Sequence, residues 1–60
     1  MTTRRTYHVP VGAAPDAVEQ AKARARLEGF VVVTVARVAL APPGWEVSLV
    51  VRRAREEAGT

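Results

Sequence analysis

The side chains able to do covalent or proton-transfer chemistry are few: one histidine, His8, one serine, Ser48, one aspartate, Asp16, and no cysteine. A Ser-His-Asp relay would have to join all three. Ser48 stands in an alternating stretch rather than on a strained turn, and Asp16 sits where a helix opens. His8 without cysteine partners gives no structural zinc site. Glu56 and Glu57 form a carboxylate pair, but sequence neighbours do not face each other, so they read as a solvated charge run. Pro42-Pro43-Gly44 has too few glycines and backbone donors to cradle a phosphate. These residues point away from an enzyme, and neither a metal nor a cofactor is expected.

Cations carry the remaining chemistry. Nine Lys and Arg oppose six Asp and Glu, giving a formal charge of +3, and all of the nine except Lys22 are arginine. A guanidinium presents a planar fork that matches phosphate oxygens, where an ammonium is a point charge. A GC-rich coding sequence would give the same arginine bias.

The elements that must position these groups follow from periodicity. Residues 5–11 alternate, with Tyr7, Val9 and Val11 on one face, and Pro10 ends the strand or keeps it at an edge. Pro15, Asp16 and Glu19 mark a helix start. The helix runs to about Glu28, and Gly29 is the left-handed residue that stops it. Ala14, Val18, Ala21 and Ala25 make a narrow face with Ala17 at its flank, and Leu27 is expected to fold beneath the unwinding end. Residues 30–41 are apolar on both faces, Val31, Val33 and Val35 against Phe30, Val32, Ala36, Val38 and Leu40, a pattern that expects cover on both sides. The Ala41-Pro42-Pro43-Gly44 segment reads as a tight turn. In residues 45–53, Trp45, Val47, Leu49 and Val51 share one face, with Trp45 expected as a lid on the core.

The fold class is therefore α+β: one β-α-β-β domain over residues 1–60, with an ordered core of about 4–53 and a tail, 54–60, that extends a short helix or frays. The simplest sheet is three-stranded and antiparallel in the order 1-3-2, with one helix on one face. No second domain fits in 60 residues. A chain this short buries only about 60% of the surface it exposes when unfolded, and disulfides are absent, so association with a second copy is the expected aid to stability. The uncovered face would carry Val31, Val33, Val35 and Val50, or the Phe30 set if the register is reversed. Self-association through that face or an edge follows.

This topology gathers Arg4, Arg5, Arg52 and Arg53 at one end of the sheet, with Arg24, Arg26 and Arg55 arriving nearby, and Glu28, Glu56 and Glu57 available as compensation. A basic pole of this kind, doubled in a dimer, would follow a nucleic-acid backbone through phosphate contacts. Tyr7, Phe30 and Trp45 are too dispersed for a stacking platform. The expected function is a small non-enzymatic homo-oligomeric module that binds nucleic acid. The alternatives are a protein-interaction or regulatory subunit using the apolar sheet face, and small-molecule binding between subunits. No secretory leader or membrane span is visible, so the chain is expected in the cytoplasm, away from membranes.

Two families share parts of this pattern. The β-α-β-β order from Tyr7 to Arg52, with Trp45 near the start of the last strand, resembles dodecin, a small flavin-storing oligomer. The resemblance implies a cavity between subunits. This chain has Phe30-Val31 where that family's flavin stack requires a tryptophan just after the helix, so flavin binding does not carry over. The segment from Tyr7-His8-Val9-Pro10-Val11-Gly12 to Gly29-Phe30 resembles the first half of a SPOR peptidoglycan-binding repeat, whose second half is missing.

Overall fold

The structure is a computed structural model that describes residues 1–54. Its elements are β1 (Thr3–Val9), α1 (Ala14–Leu27), β2 (Phe30–Ala41) and β3 (Gly44–Arg53). The three strands form one antiparallel sheet in the order β1-β3-β2, with α1 across one face, which is the α+β arrangement expected from the sequence.

Helix α1 opens at Ala13, whose extended backbone provides the N-cap without any side-chain hydrogen bond, and Pro15 and Asp16 occupy the first turn. It closes on Gly29 at φ 89°, a conformation that only glycine adopts without strain, with the Gly29 N–H donating to the Arg26 carbonyl. Ala17, Ala21 and Ala25 are fully buried, while Ala14 and Val18 flank them half-buried. The burial axis thus runs through Ala17 rather than beside it. Methyl-sized contacts let the helix lie close on the sheet, but each removes little area from water. Leu27 does not fold beneath the helix end: it is 88% exposed. The chain tightens around Glu28 and turns into β2 without unwinding, so the side chain stays on the outer surface.

Strand β3 is the central strand, and Val47, Leu49 and Val51 on its helix side are fully buried with Val9 and the three alanines. Phe30, Val32, Val35 and Trp45 pack against this cluster from its margins. β2, the most apolar strand in the sequence, is an edge strand in which no residue is fully buried. Within one copy of the chain, β2 has the cover of α1 on one side. Its pairing with β3 has two irregularities, between Val32 and Thr34 and between Val35 and Arg37. A bulge inserts one unpaired residue and resets which side chains face which way. Val32 and Val35 consequently both pair with helix-side residues of β3, Val51 and Leu49.

The hairpin closes through Pro42-Pro43, joined by a cis peptide bond, with Ala41 paired to Gly44. Gly44 is required for a reason other than turn conformation. Its φ is not positive, but a Cβ there would land on the Val9 carbonyl and the Pro10 Cα, so the absence of a side chain lets β1 end against β3.

The sheet is longer than the helix that covers it. Fourteen helical residues span about 21 Å, whereas twelve strand residues span about 40 Å. Toward the hairpin, β2 is left with Val38 at 37% and Leu40 at 68% exposure on the helix side of the sheet.

Candidate anion-binding site

Residues paired across a sheet project on the same side, so the register defines the face that α1 leaves open. Four rows run across it: Arg52 with Val31; Arg4 with Val50 and Thr34; Thr6 with Ser48 and Arg37; His8 with Glu46 and Ala39. The face is polar and basic, with three arginines against one carboxylate. Strand spacing and rise put the Cα atoms of Arg4, Arg37 and Arg52 about 8 to 14 Å from one another. The Thr6 and Ser48 hydroxyls are hydrogen-bonded at 3.0 Å between them. Among the described residues Arg4 and Arg37 form no ion pair, because the two salt bridges present join Arg5 to Glu28 and Lys22 to Glu19.

The expected pole is divided by the pleat. Arg4 and Arg52 belong to the open face, while Arg5 pairs with Leu49, Arg53 pairs with Phe30, and both project on the helix side. There Phe30 receives Arg5 at 5.5 Å and Arg53 at 6.0 Å from its ring centroid. Glu28 is the local compensation. Its Oε1 accepts a hydrogen bond from the Tyr7 hydroxyl at 2.7 Å and lies 3.6 Å from Arg5. Burial, then the bond to Glu28, raises the Tyr7 pKa above its ordinary 10.0. Arg24 and Arg26 leave the helix on different sides. Arg24 donates to the His8 carbonyl of β1 at 3.4 Å, and Arg26 lines a groove with Lys22 beside residues 32–35 of β2. Arg55, Glu56 and Glu57 lie outside the described residues.

The proposed interface set is also distributed. Val31 and Val50 are half-buried on the open face, Val35 packs against the core beneath α1, and Val33 stands unpaired at the first bulge, 50% exposed. Sequence reasoning missed Arg37. The signal was present as two interruptions, Thr34 and Arg37, in an otherwise apolar run: strict alternation cannot put both on one face with Val31, but a bulge can.

The open face does bring Ser48, His8 and Glu46 into neighbouring positions. The imidazole Nε2 is hydrogen-bonded to the Ala41 carbonyl at 2.9 Å, and the serine hydroxyl to Thr6. No nucleophile-to-base bond exists among them, and Asp16 opens α1 on the other side of the sheet. Among the described residues no three His, Cys, Asp or Glu side chains gather where a metal ion would bind, and no helix is long and apolar enough to cross a membrane. Comparisons with family models, curated proteins and solved structures each find no match to this chain. The functional reading therefore rests on geometry and charge.

Proposed function

We propose that this chain is a non-enzymatic binding module that holds nucleic acid by its phosphates, using the open sheet face of Arg4, Arg37 and Arg52. One observation carries the reading: an uncovered sheet face with three guanidinium groups, flanking hydroxyls and a single carboxylate suits a hydrated anionic partner better than an apolar one. Such contacts position a backbone without reading sequence. Binding should be insensitive to base composition and should weaken steeply with salt. The test is fluorescence anisotropy with labelled DNA and RNA at several ionic strengths. Arg4→Glu combined with Arg37→Glu should abolish most of the binding, while Lys22→Glu on the helix should leave most of it. An absence of binding at tens of micromolar protein and low salt would reject the reading.

A second property, self-association, is favoured by the apolar strip that α1 leaves uncovered. The exposure of Val38 and Leu40 on the hairpin arm, with Val33 along the same strand, supports a contact there rather than on the open face.

A further inference from the structure

Among the described residues, the helix-side end of the sheet sets Arg5 and Arg53 against one carboxylate, Glu28. A cleft of about 370 Å³ is lined by Thr2, Thr3, Arg5, Phe30, Arg52 and Arg53. Phe30 forms its apolar wall, half-buried against the core, with the Arg5 and Arg53 guanidinium groups over the ring. Glu28 is the carboxylate beside Arg5, and it is already shared with the Tyr7 hydroxyl. Arg53 has no ion-pair partner among the described residues. A ring face offsets only about 0.5 to 1 kcal/mol per exposed cation, which leaves a compact positive site among the described residues. Its volume lies at the small end of ligand pockets.

We propose that this cleft binds a phosphomonoester, the doubly charged terminal phosphate of a strand or a free nucleotide. Arg5 and Arg53 grip its oxygens, and the Phe30 ring contacts the attached nucleoside. A phosphodiester within a backbone carries one negative charge, whereas a monoester carries about 1.5 to 2 at neutral pH. Two guanidinium groups lining one cleft around the same ring match the second group better. The inference rests on the nucleic-acid reading for the source of the ligand but concerns a different surface from Arg4 and Arg37.

The experiment compares two oligonucleotides of one sequence, with a 5′-phosphate or a 5′-hydroxyl, by anisotropy on the full chain. A nucleoside monophosphate and its nucleoside are titrated in parallel and followed by NMR. The expected result is roughly ten-fold tighter binding of the phosphorylated strand, the effect of one charge-assisted contact. Arg53→Gln should remove that preference, and Arg37→Gln should retain it. The nucleoside monophosphate should shift the resonances of Phe30 and Arg53, and the bare nucleoside should not. Equal binding of the two strands, with dependence on Arg4 and Arg37 intact, would overturn the cleft and leave the backbone reading standing. Shifts by the monophosphate with no binding of either strand would support the cleft and reject the nucleic-acid reading. Because the primary comparison varies the ligand on the unaltered chain, it does not depend on any variant folding.

Discussion

Tyr7 joins the fold to the charged edge of the sheet, because its ring is buried beside α1 and its hydroxyl emerges to meet Glu28 where the helix ends. That single bond ties the first strand to the residue that closes the helix. Tyr7→Phe keeps the buried ring and removes the donor, so it should cost about 1 kcal/mol in urea unfolding, since water can still solvate the half-exposed carboxylate. The raised pKa adds a pH signature. The phenol is the protonated form, and the folded chain keeps that proton to higher pH than the unfolded chain does. Its contribution is therefore complete below 10.0 and is lost as pH rises through the folded-state value. The chain contains one tyrosine, and the indole of Trp45 does not ionise, so the change in near-ultraviolet absorbance with alkaline pH follows this phenol alone. The titration midpoint should lie above that of the urea-unfolded chain, and the alkaline fall in stability should be smaller in Tyr7→Phe. Coincident midpoints in folded and unfolded chains would refute the linkage.

At the level of elements, α1 is the component with most room for improvement, because its N-cap is Ala13, which leaves the first-turn N–H groups to solvent. Pro15 has no N–H to offer, so a capping side chain would have to reach Asp16. Ala13→Ser supplies a hydroxyl of suitable length, and Asp16 can return the contact in a reciprocal cap. The expected gain is about 1 kcal/mol, which for a domain of this size raises Tm by about 4 to 8 °C. Ala13→Val, with no acceptor, should give no gain, and equal melting of both variants would count against the cap assignment. The elements themselves were largely legible in the sequence. Proline and acid at the helix start, Gly29 at its end and the alternation through Val47, Leu49 and Val51 are local signals that tertiary contacts did not override. The faces of β2 were not legible by simple alternation, because a bulge is a two-strand property that depends on where β3 pairs. The same step concealed Arg37 and split the Val31, Val33 and Val35 set, while the division of Arg4 from Arg5 and of Arg52 from Arg53 follows from the pleat alone. Gly44 belongs with these: its need for a missing side chain comes from β1, thirty-odd residues away in the chain, and no local turn preference reports it.

For the whole molecule the deciding quantity is the mismatch between a helix of about 21 Å and a strand of about 40 Å. The described residues extend over 41 × 17 × 13 Å, and apart from Tyr7 and Leu49 the buried core is alanine and valine, so little apolar area is buried for the length of sheet displayed. Val38 and Leu40 lie where a longer helix would have covered them, and a second copy laid against this arm would cover them instead. Light scattering across a concentration series should give a mass above one protomer, and Leu40→Lys should return it to the monomer value. Val31→Lys on the open face should leave the assembly intact. If the unaltered chain is monomeric at every concentration, the uncovered arm is simply tolerated surface. The two proposed surfaces are then coupled in a measurable way. Each phosphate neutralised on duplex DNA contributes about 0.9 to the slope of log affinity against log salt. Three contacts from one open face give a slope near −3 and a dimer acting on one duplex about −5. Leu40→Lys should therefore flatten the salt dependence toward the single-face value while Arg4, Arg37 and Arg52 stay in place, a change that the loss of an individual phosphate contact would not reproduce.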